Sequence, residues 1–230
     1  MNKFLRLGLS ALALMFVFNI LAVTETKAQL NDILKTMDAH NKALTSLKAN
    51  VTMEKFNAQL DETDTFTGST MYLPKIAKRE MYARIDWEKP VVENIAIIGK
   101  KYTLYRPRLN QVIEGTTEKS KNNATAGGAL AFMSMSKNEL KANYNVRYLG
   151  QESVSGSVST WHLELTPKTK TTYKIAELWI DGNGMPVQAK VIENNNDSTT
   201  VFLSKLQKNV DIPGNVFAIN VPKSAKVIKG

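Results

Sequence analysis

From Ala49 to Gln207 the chain is a succession of short β-patterned segments divided by polar turns, and this pattern leaves few architectures open. The segments are Ala49–Gln59, Phe66–Leu73, Arg79–Trp87, Glu93–Ile98, Lys101–Arg106 and Gln111–Glu114, followed after an interruption by Asn143–Glu152, Ser159–Pro167, Tyr173–Ile180, Pro186–Asn194 and Ser198–Gln207. The connections are Asp61-Glu62-Thr63-Asp64, Gly99-Lys100, Asp181-Gly182-Asn183-Gly184 and Asn194-Asn195-Asn196-Asp197, while Pro107 ends a strand because it lacks a ladder donor. Strands joined by such short turns pair antiparallel, and a long row of them predicts a mainly β fold, a barrel or a strongly curved sheet.

Two departures from this pattern read as helical. Apolar residues at Leu30, Ile33, Leu34, Met37, Leu44 and Leu47 follow the spacing of an amphipathic helix, with Lys35, Asp38, Asn41, Lys42 and Lys48 on the other face. Thr116–Thr125 reads as a mobile polar loop that leads into short helices carrying Leu130, Phe132, Met133 and Met135.

The start of the chain is an address. Lys3 and Arg6 precede an apolar stretch from Leu7 to Val23, and Thr26-Lys27-Ala28 places small residues where signal peptidase cuts. Residues 1–28 are therefore expected to be a cleavable signal peptide and residues 29–230 a single exported domain, soluble in the periplasm of a two-membrane bacterium. Loss of Lys3, Arg6, Lys27 and Glu25 lowers the formal net charge from +9 to +7. The chain has no cysteine, which excludes disulfides, thiolate chemistry and a lipid anchor on sulfur.

Enzymatic signatures are missing. His40 and His162 fall in segments of different type, and the sequence has no G-x-S-x-G, H-E-x-x-H or glycine-rich phosphate loop. Asp181-Gly182-Asn183-Gly184 opens like a calcium loop, but Met185-Pro186 breaks the ligand pattern, so a plain turn is expected. No catalytic residue, metal or cofactor is expected. The basic clusters Lys75, Lys78, Arg79 and Lys168, Lys170, Lys174 lack interleaved aromatics, so no nucleic-acid partner is expected; a solvated face and an anionic membrane or acidic partner both remain open.

Several stretches in order resemble the LolA family of outer-membrane lipoprotein carriers, with the fold type that also includes LolB and LppX. They are residues 47–56, Gly68–Leu73 with Pro74, Trp87-Glu88-Lys89-Pro90, residues 93–112 around Gly99-Lys100, residues 161–168 and residues 215–222. The resemblance implies an unclosed antiparallel β-barrel with an N-terminal amphipathic helix and short helices as a lid over an apolar cavity. It further implies a monomeric, non-enzymatic carrier of acylated lipoproteins, loaded by an inner-membrane lipoprotein-releasing transporter and unloaded at an outer-membrane acceptor, with transient contact at membrane surfaces. One position departs: the family's lid-contacting Arg-Pro is here Leu73-Pro74, and none of Lys75, Lys78 and Arg79 can be assigned its role. The family's acceptor is itself a lipoprotein with a cysteine after its signal; Gln29 stands there instead, which favours the diffusing carrier.

A 16-carbon acyl chain costs about 12 kcal/mol to expose to water, at ~0.8 kcal/mol per methylene, so a carrier must hide most of it. The residues expected to line such a cavity are Phe56, Phe66, Tyr72, Met81, Ile85, Trp87, Ile97, Tyr102 and Leu104 from strands, with Leu130, Phe132 and Met133 from the lid; for each, a filled core is the competing reading. Two alternatives remain: a related carrier of another lipid or glycolipid, and a periplasmic sensor of mislocalised lipoproteins.

Overall fold

The computed structural model describes residues 27–76, 79–116 and 132–230. The expected signal segment lies outside the described residues except for its last two positions, as do Lys78, Leu130 and all but the first residue of the Thr116–Thr125 loop. The first element, α1, spans residues 27–43 and buries Ile33, Leu34 and Met37, the apolar side that the spacing predicts. Lys35–Asp32 and Lys42–Asp38 ion pairs brace its solvent side.

The helix stops before Leu47 because other partners capture its continuation. The last helical bond is Leu44 N–H to the His40 carbonyl at 3.0 Å. Thr45 N–H then donates to Asn209 Oδ1 at 2.8 Å, and the Ser46 carbonyl accepts from Asn209 N–H at 2.9 Å. Leu47 is thereby released to begin a strand.

The strands are β1 (Leu47–Asn57), β2 (Glu62–Leu73), β3 (Tyr82–Lys89), β4 (Glu93–Ile98), β5 (Lys101–Arg106), β6 (Gln111–Thr116), β7 (Tyr144–Val154), β8 (Val158–Pro167), β9 (Tyr173–Asp181), β10 (Pro186–Glu193), β11 (Ser198–Lys208) and β12 (Lys226–Lys229); α2 (Lys137–Asn143) precedes β7. Among the described residues they form one 12-stranded sheet ordered β12-β6-β5-β4-β3-β2-β1-β11-β10-β9-β8-β7, in which β12 and β7 are the edges and the barrel is not closed. Every pair is antiparallel except β12 with β6, which is parallel and which the sequence pattern does not predict. Asp61-Glu62-Thr63-Asp64 is also not the first connection. Asn57 Oδ1 accepts the N–H groups of Gln59 and Leu60 at 3.0 and 3.1 Å, which tightens the turn to residues 58–61 and gives Glu62–Asp64 to β2.

One face of this sheet carries the helices. Val51 and Met53 of β1, Trp87 of β3, Leu163 of β8, Leu178 of β9 and Val201 of β11 share one buried cluster with Ile33, Leu34 and Met37. Strands so far apart in the sheet meet around α1 because the sheet curls about it, as wide twisted sheets do. At the β9–β10 turn Gly184 takes φ +83°, and a Cβ there would stand 2.4 Å from the Thr36 carbonyl of α1. Gly184→Ala is accordingly expected to cost at least about 2 kcal/mol and lower Tm by roughly 4–8 °C in a thermal melt.

The opposite, outer face is crossed by residues 209–225 between β11 and β12. Phe217, in a 3₁₀ turn at Gly214–Phe217, is fully buried with Leu73 and Ile212 and lies 5.4 Å from the Tyr82 ring. Arg84 of β3 donates to the Val216 carbonyl and is itself paired with Asp86 at 2.8 Å.

Candidate functional site

Direct cross-strand partners share a face, so the pairing register maps the inner surface residue by residue. One row runs Ala49, Thr70, Ile85, Ile95, Leu104, Ile113, Ile228; the adjacent row runs Leu47, Tyr72, Ala83, Ile97, Tyr102, Gly115. At ~4.8 Å per strand the first row is roughly 29 Å long, longer than one acyl chain, which spans about half of a ~30 Å bilayer core.

Burial falls along these rows. Ala49 and Ile85 are buried in the core cluster, Phe66, Tyr72 and Ile95 pack on its margin, and Ile97, Tyr102, Leu104 and Ile113 lie half-buried outside it. The Tyr102 ring lies across β6, where a Cβ on Gly115 would come within 2.7 Å of it. Burial pushes the Tyr72 phenol up, so it stays neutral on this surface. The strip is bounded by an Arg106–Glu93 ion pair at 2.9 Å.

The expected site residues thus separate into groups. Ile97, Tyr102 and Leu104 form the half-buried strip with Phe66 and Tyr72 beside it. Ile85 and Trp87 are filled core, Trp87 meeting Phe66 edge-on at 6.0 Å. Met81 precedes β3, half-buried, its carbonyl accepting from Gly99 N–H at 2.8 Å. Phe56 is corrected: Leu47, Ala49, Val51 and Met53 point inward, so the even-numbered Phe56 lies on the outer face of β1. Ile95 and Ile113 belong to the strip and were missed, although Ile95 is two positions from Ile97 and shares its parity.

Phe132 and Met133 are buried at the other end of the inner face, where Phe132 meets Tyr144 and Tyr173 edge-on at 5.6 and 5.7 Å. Ser136 and Glu139 form a capping box that starts α2, and Asn41 Nδ2 donates to the Met135 carbonyl at 3.2 Å, tying this segment to α1. The helices therefore cover the β7–β11 half with packed side chains. A shallow recess of about 460 Å³ beside Trp161 and the first turns of α1 includes Gln29, Asp32 and Thr36 in its wall. Its wall is largely apolar, with Ala28, Ile33 and Trp161 beside those polar groups, but it is open and lies apart from the strip, whose row of apolar side chains is long enough for an acyl chain; the strip is the candidate site.

Neither histidine belongs to it. His162 stacks on Trp179 at 4.2 Å on the outer face, with Nδ1 2.9 Å from Glu152. Its Nε2 stands 3.7 Å from Glu177, beyond direct hydrogen-bond reach, yet the nearby ring holds the Glu177 carboxyl below its ordinary value of 4.5 against the opposing effect of burial. A folded-state pKa below the unfolded one gives stability above about pH 4.5 that is lost as pH falls through the lowered value. Glu177→Gln is expected to lower Tm at neutral pH, with the difference from the parent closing in melts taken well below pH 4.5. His40, on α1, is held below its ordinary value chiefly by burial. Asp181 Oδ1 accepts the N–H groups of Asn183 and Met185, making that segment a plain turn. Among the described residues no group of His, Asp and Glu is placed to hold a metal ion, and no helix is long and apolar enough to cross a membrane.

Residues 42–220, from the end of α1 into the outer-face crossing, match the family described as outer membrane lipoprotein carrier protein LolA. The chain belongs to this family. An outer-membrane lipoprotein carrier protein of Cupriavidus pinatubonensis is 30% identical over 144 residues, which are 62% of this chain and 63% of that protein, so the match spans less than two thirds of the relative's length. Among solved structures, an uncharacterized conserved protein from Thermus thermophilus superposes with TM-score 0.55 at 14% identity, covering 88% of this chain and 99% of that one. MucB superposes with TM-score 0.55 at 12% identity, covering 87% of this chain and 66% of that one. These two likenesses show the fold.

Within this LolA-family chain the Leu73-Pro74 departure has a structural counterpart. Leu73 packs into the outer-face cluster with Phe217, whereas Arg79 Nη2 donates to the Pro74 carbonyl at 3.0 Å and to the Thr45 carbonyl at 3.4 Å, just beyond α1. An arginine thus links the β2–β3 connection to the end of α1, from a position five residues later than Pro74.

Proposed function

We propose that this chain is a soluble, non-enzymatic periplasmic carrier, exported by a cleaved signal of residues 1–28, whose residues 29–230 act as one domain that shelters lipoprotein acyl chains between the inner and outer membranes. The single observation that carries the reading is the apolar strip on β4–β6. A finished core would bury Ile97, Tyr102, Leu104 and Ile113, yet they stay half-buried on the inner face. A surface of this kind takes up hydrocarbon without chemistry, through area removed from water at about 25 cal/mol per Å². Family membership supports lipoproteins as the cargo and makes an inner-membrane releasing transporter and an outer-membrane acceptor the expected partners.

Depletion in the native cell is the test. It is expected to strand lipoproteins at the inner membrane, and organic extraction of the purified protein followed by mass spectrometry is expected to return acylated species. A lipid-free protein whose loss leaves lipoprotein sorting unchanged would overturn the reading, while a retained lipid with normal sorting would assign a different lipid cargo.

A further inference from the structure

Antiparallel pairing sends alternate hairpin turns to the same end of a sheet. The β3–β4 and β5–β6 turns share one end, and β12 enters from it, since it runs parallel to β6 and begins opposite Gln111. At the β3–β6 corner of that end three large apolar side chains stand exposed, Val92 at 47%, Leu109 at 65% and Val227 at 54%, whereas the β1–β2 turn at the same end pairs its exposed Leu60 with the exposed acids Asp61, Glu62 and Asp64. Each of the three alone would be unremarked. They are interspersed, however, with the exposed cations Lys89, Arg108, Lys223 and Lys226, for which no ion-pair partner occurs among the described residues; the neighbouring Arg106 is neutralised by Glu93, and Glu88 is an exposed acid beside Lys89.

The arrangement is held in place. Asn110 Nδ2 donates to the Ser224 carbonyl at 3.0 Å and the Asn110 carbonyl accepts from Lys226 N–H at 2.8 Å, fixing the segment with Lys223 and Lys226 against the turn that carries Leu109. Exposed apolar tips among unpaired cations suit a lipid interface, where the cations meet phosphate and the tips enter the headgroup region. We propose that this corner of the half-barrel, formed by the β3–β4 and β5–β6 turns and the start of β12, docks on anionic phospholipid bilayers. The inference rests on the carrier reading, in which cargo passes to and from membranes, and it places the bilayer at the end of the sheet where the β4–β6 strip meets its Arg106–Glu93 boundary. The opposite end is less suited. It too carries exposed cations, Lys75, Lys101 and Lys205, but among the described residues its exposed apolar tips are only Ile76 and Ile98 at 43% each, Glu80 packs on Gly99, and Arg79 is committed to backbone carbonyls.

The test is co-sedimentation of the mature chain with phosphatidylcholine vesicles made with and without phosphatidylglycerol. Binding is expected only with phosphatidylglycerol and is expected to weaken with salt. At about five-fold per basic residue, R108E/K223E/K226E should weaken binding by at least about a hundred-fold. K75E/K101E/K205E, the same charge change at the opposite end, should keep most of it. L109D should weaken binding, and Leu109→Trp should blue-shift on vesicles containing phosphatidylglycerol. Equal loss in both charge-reversal variants, or unchanged binding in R108E/K223E/K226E, overturns the proposal. So does self-association of the parent that these substitutions abolish without any vesicle binding. Lipid extracted from the same preparations reads carriage separately: the docking variants keep the parent's load, and an empty parent counts against the carrier reading rather than against docking.

Discussion

Ile97→Asp combined with Leu104→Asp is expected to cut the lipid retained by the purified protein by more than about tenfold while leaving its thermal unfolding close to that of the parent. The two side chains sit diagonally on adjacent strands in the half-buried part of the inner face, opposite Tyr102 and Ile95. Neither belongs to the buried cluster around α1, so their loss removes little folding energy. A carboxylate against hydrocarbon, in contrast, either stays charged at a desolvation cost of several kcal/mol or opens the strip to water, and a tenfold loss needs only about 1.4 kcal/mol. Phe56→Asp is the matched control. It adds one such carboxylate on the outer face of β1 and is expected to leave the lipid load unchanged. Lipid per mole of protein, measured by mass spectrometry beside a circular-dichroism melt, checks all three.

The same contrast marks what a single sequence makes legible here. Strand positions follow from alternation and turn chemistry, and α1 follows from its apolar spacing, because both are local periodicities. Parity was legible too: Val51 and Met53 fix which side of β1 is inward, and that parity excludes Phe56. Its size made it attractive as a lining residue, but size does not decide a face. Whether an inward residue meets a helix or remains half-buried is a long-range property. Ile85 and Ile97 are both inward-facing isoleucines of adjacent strands, yet Ile85 lies within the sheet's curl around α1 and Ile97 lies beyond it. The outer-face crossing was least legible of all. Arg84 is 132 residues from the Val216 carbonyl it holds, and β12 gains its strand character only by lying along β6.

That crossing should carry the largest single contribution to stability. Phe217→Ala is expected to cost about 3–5 kcal/mol and lower Tm by roughly 6–20 °C. Phe217 is fully buried although it packs outside the main core, in a small cluster with Leu73 and Ile212 that has few other side chains to collapse into the space left behind. Its loss should also free an edge. β12 is reached only through residues 209–225, and its pairing with β6 replaces what would otherwise be an open strand, with β6 exposing its ladder groups to solvent. Hydrogen exchange should therefore rise at residues 226–230 and along β6 in Phe217→Ala, while α1 and β7–β11 keep the parent's protection. Arg84→Ala should move the same amides by a smaller amount, since it removes the hydrogen bond to the Val216 carbonyl but leaves Phe217 in place. If exchange instead rose evenly across the whole sheet, the crossing would be part of the main cooperative unit rather than a separate clasp, and the stability of the β4–β6 strip would depend on the helical half after all.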